Sequence, residues 1–350
     1  MTIQAFLRHL AFCAALTGLS AAVVRAMIGV GVLDQPDHRK AHTRPVPKGG
    51  GVGVVAAFLV GIAALYAVAG FARVADGYFL GVILAATAIA VVAWLDDVVD
   101  WPFTVKLGAQ LAAALVAVAS GLVVSSLNLP LVGTVPLGWI GIAGTLAWIV
   151  FATNAMNFID GLNGLASGVS CIAAIALAVV AAGMNAWFVY FAGLLLAAGL
   201  LGFLPFNFPR ARIFMGDVGS QFCGFVLAVL GVVAGRFEQV ELSVLLVPLL
   251  LFGVLYDVAF TLVRRAVAGD RLTQPHRSHL YQVAHRSGMA ATRVTLLHWG
   301  FALWGAGCCA VFLSATGLGK PLALPLVLVP QLLWTGAVWR MARRADIGRW

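Results

Sequence analysis

The sequence predicts an all-α polytopic membrane protein: one integral-membrane domain over residues 1–350, with about eleven transmembrane helices, the N-terminus periplasmic and the C-terminus cytoplasmic. Three observations predict it. Hydrophobic residues make up 62% of the 350 and charged residues only 10%, with a mean hydropathy of +1.01, where a soluble domain carries roughly a quarter charged residues. The apolar runs are continuous rather than alternating, which argues against a β-barrel. The basic residues lie between those runs instead of forming one soluble patch, so the net charge of +9 reads as membrane topology and not as a surface for nucleic acid.

The first stretch, 5–30, carries Arg8 ahead of an apolar core, as a signal peptide does. No small-residue cleavage site precedes the polar loop at Asp34, so it is read as the first membrane helix. Apolar runs over 51–71, 78–95, 106–126, 138–156 and 168–183 follow. The next, 186–205, is expected to stop at Pro205 and Pro209. The run 218–235 opens after Gly216-Asp217, and 243–265 carries Asp257, for which Arg264 on the same helical face is the expected partner. Runs at 294–315 and 321–340 complete the set. The cysteines, Cys13, Cys171, Cys223, Cys308 and Cys309, sit inside apolar runs without metal or disulfide spacing.

Orientation follows from the positive-inside rule. With the loop at 31–50 set inside, only Arg8, Arg73, Arg236 and Lys320 of the 22 Lys and Arg residues fall outside, and Arg25 lies within the first helix. The same alternation puts Asp96, Asp97, Asp100, Asn157, Asp160, Asn163, Asp217, His276 and His279 on the cytoplasmic side, so chemistry is expected at that face.

Five polar loops carry the interest. Arg212-Ile-Phe-Met-Gly-Asp217-Val-Gly-Ser220 sets a carboxylate between glycines whose N–H groups suit a phosphate and whose acid suits its metal; a plain helix N-cap is the bland alternative. The loop holding Arg39, Lys40, Arg44, Lys48 and Gly49-Gly-Gly-Val-Gly53 offers cations and free backbone to an anion, or merely anchors the helix. Asp96, Asp97 and Asp100 end one helix and Lys106 starts the next; such carboxylates at a helix C-terminus need a cation, either Lys106 or a divalent metal. In Asn154-Ala-Met-Asn157-Phe-Ile-Asp160-Gly-Leu-Asn163, the spacing requires either a tightened helix or a break at Gly161. A last loop, His276-Arg277-Ser-His279-Leu-Tyr-Gln, reads as a phosphate clamp, a metal site or surface.

Together these loops resemble the polyprenyl-phosphate N-acetylhexosamine-1-phosphate transferases, a superfamily that includes the phospho-N-acetylmuramoyl-pentapeptide transferase and the initiators of O-antigen and teichoic acid linkage synthesis. The likeness runs from Asp34 to Gln282 and rests on Arg39-Lys-Ala-His with Pro47-Lys-Gly-Gly, Leu95-Asp-Asp, Asn154-Ala-Met-Asn-Phe-Ile-Asp-Gly, Phe214-Met-Gly-Asp-Val-Gly-Ser and His276-Arg-Ser-His-Leu-Tyr-Gln. It implies transfer of a sugar 1-phosphate from a UDP-N-acetylhexosamine to undecaprenyl phosphate with release of UMP, at the inner membrane of a bacterium. Mg²⁺ is implied as cofactor, with Mn²⁺ as a substitute, and a homodimer is admitted. By motif, Asp217 resembles the metal ligand, and Asp96 and Asp97 the catalytic pair. Lys48, Lys106, Asn157, Asp160, Asn163, His276, Arg277 and His279 resemble substrate-binding residues. Asn163 stands where many relatives carry Asp, and His276-Arg-Ser-His replaces the histidine-rich cluster of the peptidoglycan enzyme, which brings the chain nearer the O-antigen and capsule initiators. The rival class is a transporter or lipid flippase, suggested by the helix count and by Asp257; no inverted repeat supports it.

Overall fold

The computed structural model describes residues 2–35, 44–68, 77–99, 101–129, 132–235, 242–274, 276–315, 317–348 and 350. Arg39, Lys40, His42, Arg73, Asp100, Arg236 and Arg349 lie outside the described residues.

The molecule is a helical bundle. Its helices are α1 Ile3–Val30, α2 Gly51–Val68, α3 Gly77–Val99, α4 Phe103–Ala119, α5 Gly138–Ile159, α6 Leu165–Gly183, α7 Trp187–Asn207, α8 Gly216–Ala234, α9 Leu246–Leu250, α10 Phe252–Val267, α11 Leu280–Arg286, α12 Ala291–Ser314 and α13 Ala323–Arg344, the last preceded by a 3₁₀ turn, Gly317–Leu322. Among the described residues nine helices are long and apolar enough to cross a membrane, and α4 is a shorter apolar helix. The multi-pass, all-helical reading therefore holds, since in hydrocarbon only a helix satisfies its own backbone.

Some boundaries differ for physical reasons. The stretch 243–265 is not one helix but α9 and α10, broken at Leu251. The fourth helix stops at Ala119 rather than at 126. Beyond it, Ser126–Leu129 (β3) pairs antiparallel with Gly133–Pro136 (β4), because polar–apolar alternation flanked by Pro130 and Gly133 favours a hairpin over helix. Pro205 does not end α7, which runs on to Asn207; in a final turn a proline forfeits one hydrogen bond. Between α5 and α6 the chain does break, through a turn at 160–164.

Burial identifies the centre of the bundle. Within α8, 94% of the apolar window is buried, against 22% in α1, so the N-terminus of α8, and Asp217 with it, sits in the middle of one end of the bundle. The glycine-rich start of α2 is sewn to it: Gly50 N–H donates to Phe214 O and Gly51 N–H to Met215 O, both at 2.9 Å, and Phe214 N–H donates to Pro47 O at 2.8 Å. A Cβ on Gly51 would come 2.3 Å from Gly219 Cα. These glycines thus permit close backbone approach, and Gly50 and Gly51 spend their N–H groups on carbonyls rather than on an anion. A two-residue strand pair, Leu33–Asp34 (β1) with Val46–Pro47 (β2), closes the loop above them.

Asp257 does not find its partner in Arg264. Its Oδ1 accepts from Leu280 N–H at 2.9 Å and Thr261 Oγ1 at 3.3 Å and lies 3.2 Å from His279 Nδ1, while Oδ2 accepts from Tyr281 N–H at 3.0 Å. The N–H groups at the start of α11, which have no partner within the helix, attract the carboxylate more than a long side chain on the same helix does. Arg264 instead donates to Ser278 O at 3.0 Å and lies over the Trp350 ring. The buried acid is therefore a post that fastens α11 to α10.

Candidate active site

Two adjacent carboxylates end α3, and the fold separates their roles. Asp96 is buried: Oδ1 accepts from Trp101 N–H at 2.7 Å and Oδ2 meets Lys106 Nζ at 2.6 Å. It does not line the cavity described below. Asp97 turns the other way, toward the N-terminus of α8. Its Oδ2 accepts from Val218 N–H at 3.2 Å and its Oδ1 lies 3.5 Å from Lys48 Nζ. The amides at the start of α8 therefore hold a protein carboxylate, where the glycine pattern had suggested a phosphate; an unsatisfied N–H pair accepts whichever anion the fold delivers.

Gly216 makes this possible, with φ of 75° and an absent Cβ that would stand 2.5 Å from Asp97 Oδ2. Gly216→Ala is expected to cost about 1–3 kcal/mol of stability and to expel Asp97 from its seat. Thermal unfolding in detergent and turnover should fall together; an alanine variant with unchanged activity would show that this seat is not needed.

Lys106 bridges two acids. Its Nζ lies 3.2 Å from Asp217 Oδ2 as well as bonding Asp96. The same Oδ2 accepts from Gln221 Nε2 at 3.2 Å. Gln221 in turn belongs to a row of amides, two of them buried and Asn154 half-buried: Gln110 Nε2 donates to Gln221 Oε1 at 3.0 Å, and Asn154 Nδ2 donates to Gln110 Oε1 at 2.5 Å.

A cavity of about 430 Å³ opens at this end of the bundle. Asp34, Lys48, Asp97, Asn157, Asp160, Asn163, Asn207, Asp217, Arg277, Tyr281, Gln282 and His285 are on its wall. Asn207 shapes it by joining the α5–α6 turn to the loop before α8: its Oδ1 accepts from Gly164 N–H at 2.7 Å and its Nδ2 donates to Ile213 O at 3.1 Å. Tyr281 Oη donates to Phe158 O at 2.9 Å and holds α11 to the end of α5. Four carboxylates, Asp34, Asp97, Asp160 and Asp217, share this space. Burial raises the pKa of Asp160 well above the usual carboxylate range, and the negative charges of Asp217 and Asp97 raise it further.

Of the residues singled out in the sequence, the cavity gathers Lys48, Asp97, Asn157, Asp160, Asn163, Asp217 and Arg277. Asp96 and Lys106 stand behind its wall. His279 is buried against Asp257 and is not on the wall. His276 faces a second cavity with Arg264, Arg265, Arg271 and Arg286, which Arg277 also borders. Burial, helped by the charges of His279, Arg265 and Arg264, pushes the His276 imidazole down to about 4, so at neutral pH it is uncharged and is no cationic clamp. Arg212 lies over the Phe206 ring, away from the cavity wall.

Sequence reasoning missed Gln110, Gln221, Asn207 and Asp34. A signal existed for the first two: each is the lone amide one helical turn beyond a functional charge, Lys106 and Asp217. Asn207 had none, because its contacts are set by the turn between α5 and α6.

The donor set of the cavity is oxygen-rich, with the carboxylates of Asp34, Asp97, Asp160 and Asp217 and side-chain amides that include Asn157. Among the described residues no group of three His, Cys, Asp or Glu side chains is arranged to hold a metal unaided. That combination suits Mg²⁺, which prefers one or two carboxylates and keeps waters or substrate phosphates for its other positions, and it does not suit zinc.

Comparison with known proteins decides the family. The model of glycosyl transferase family 4 matches residues 79–235, the stretch that carries Asp96, Asp97, Lys106, Asn157, Asp160 and Asp217. A probable undecaprenyl-phosphate N-acetylglucosaminyl 1-phosphate transferase of Bacillus subtilis is 34% identical, over 74% of this chain and 71% of that protein. The chain belongs to glycosyl transferase family 4. A decaprenyl-phosphate N-acetylglucosaminephosphotransferase of Mycobacterium leprae is 32% identical over 95% of this chain and 91% of its own length. An undecaprenyl-phosphate alpha-N-acetylglucosaminyl 1-phosphate transferase of Thermotoga maritima is 31% identical over 73% of each. This family 4 member is a membrane-embedded transferase, as the sequence implied.

Proposed function

We propose that this chain transfers N-acetylglucosamine 1-phosphate, or a closely related N-acetylhexosamine 1-phosphate, from its UDP-sugar to undecaprenyl phosphate, releasing UMP. The observation that carries the reading is the meeting of Asp97, Asp160 and Asp217 with Lys48 and Arg277 on one cavity at one end of the bundle. The names of the relatives support it. The charge asymmetry of the loops supports a cytoplasmic position for that end, at a bacterial inner membrane, where the product would start a cell-envelope polysaccharide.

In this reading Asp217, with Asp160 and Asn157 beside it, holds Mg²⁺. The ion, when bound, neutralises charge on the sugar diphosphate. The protein's own part is electrostatic and positional. Undecaprenyl phosphate is a monoester whose second pKa near 6 leaves it largely dianionic at neutral pH, so it needs orientation more than a strong base. Asp97, fixed by Val218 N–H and Lys48, orients that phosphate and accepts its residual proton. Arg277 meets the diphosphate, and Lys106 holds Asp217 in place. Asp96 acts through Lys106 and touches no substrate.

The transporter reading loses its main support, because Asp257 is fully engaged at the start of α11. Membranes containing the protein, given labelled UDP-N-acetylglucosamine and undecaprenyl phosphate, are expected to form a labelled lipid with Mg²⁺ and none with a chelator. Label that crosses vesicles without entering lipid would replace the transferase with a transporter. The same assay across other UDP-N-acetylhexosamines identifies the sugar.

A further inference from the structure

The amides behind Asp217 have a direction. A carboxylate only accepts hydrogen bonds, so Gln221 must turn its NH₂ toward Asp217 Oδ2, 3.2 Å away, and its carbonyl oxygen away. That oxygen accepts from Gln110 at 3.0 Å, which fixes the orientation of Gln110 and leaves its own oxygen for Asn154 at 2.5 Å. Asn154 also donates to Val150 O at 2.9 Å, within α5. Three helices, α5, α4 and α8, thus contribute one amide each, and every donor points the same way. Gln110 and Gln221 are 2% and 4% exposed, so water is excluded from both and a flipped amide would leave buried groups unmatched.

We propose that Asn154, Gln110 and Gln221 are positioning residues for Asp217: a one-way amide relay that, with Lys106, occupies Oδ2 and keeps Oδ1 for a divalent cation. The inference rests on the proposed role of Asp217 as metal ligand. Outer partners of this kind commonly set metal affinity by holding the ligand in one rotamer. The relay also explains why two glutamines stand one turn beyond Lys106 and Asp217 in otherwise apolar helices, where a buried amide is costly unless fully paired.

The test is the polarity of the relay. Gln110→Met removes the middle link at nearly constant volume. Gln110→Glu keeps the shape but, when ionised, accepts from both sides, which forces Gln221 to flip and turn an acceptor toward Asp217. Mn²⁺ binding to the purified protein, without substrates, is measured by electron paramagnetic resonance from about pH 6 to about pH 9, alongside thermal unfolding. The relay predicts roughly tenfold weaker binding in Gln110→Met with the protein still folded. Gln110→Glu should resemble the wild type at the acid end, where a protonated Glu still donates to Gln221, and should lose affinity as pH rises. Simple electrostatics predicts the opposite, because an added negative charge attracts the cation. Gln110→Glu binding as tightly as wild type, or more tightly, across the range overturns the relay, as does unchanged binding in Gln110→Met. A wild-type protein that binds no Mn²⁺ refutes the metal role of Asp217 instead. The relay is then read from turnover: lowered kcat with unchanged KM in both variants supports it, and unchanged kcat in both overturns it.

Discussion

Asp217→Asn is expected to reduce transfer roughly a thousandfold or more while leaving the protein folded in the membrane. Asparagine keeps the shape of the side chain and can still accept from Lys106 and Gln221 through its oxygen. Lys106 retains its 2.6 Å bond to Asp96, so the centre of the bundle keeps its main ion pair. What is lost is the negative charge at the head of the most buried helix. The measurement is UMP release against Mg²⁺ concentration, with thermal unfolding as the control for folding. Near-normal release by this variant would remove Asp217 from the chemistry.

Lys106→Met should have the second largest effect, and it should strike stability as well as turnover. Without the ammonium, Asp96 keeps, among the described residues, only Trp101 N–H at 2.7 Å while remaining 3% exposed. An uncompensated buried carboxylate costs about 3–5 kcal/mol, and the 24% exposure of the lysine side chain places the loss near the lower end. The double variant Lys106→Met with Asp96→Asn separates the two roles. Unfolding temperature should recover, because no charge is left buried alone, whereas transfer should not, because Asp217 still lacks its cation. Recovery of both would make Lys106 a purely structural partner of Asp96.

The chemistry of the site was far more legible in the sequence than its geometry. Lys106 was named as one of two ways to neutralise the acids at the end of α3, and it does so for Asp96, whereas Asp97 meets Lys48 from the loop before α2. The break near Gly161 was one of the two outcomes, with a tightened helix, that the spacing of Asn154 and Asn163 allowed. The reading of the glycines went wrong at both places for one reason. Gly49–Gly51 and Gly216 signal only that backbone comes close to something. In one case it is the carbonyls of Phe214 and Met215, in the other the carboxylate of Asp97, and a phosphate would leave the same sequence trace. Asp257 shows the same limit. A buried charge announces that it has a partner, but helical spacing offered Arg264, whereas the fold supplied His279 and the start of α11 from a separate loop.

The resemblance of the motifs and the family comparison agree on class, and the cavity adds the division of labour between Asp96 and Asp97 that adjacency in sequence conceals. Asp97 is on the cavity wall and Asp96 is sealed beneath it. The substrate-facing roles proposed for Asp97, Asp160 and Arg277 rest on that placement, whereas His276 and His279 lie off that wall.

The central claim is that a sugar 1-phosphate moves, not a sugar. It is tested most directly by following the β-phosphorus of UDP-N-acetylglucosamine labelled at that atom, in membranes supplied with undecaprenyl phosphate and Mg²⁺. The account predicts that the label enters the lipid product while unlabelled UMP appears in equal amount. Label left in soluble UDP, with sugar on the lipid, would contradict it.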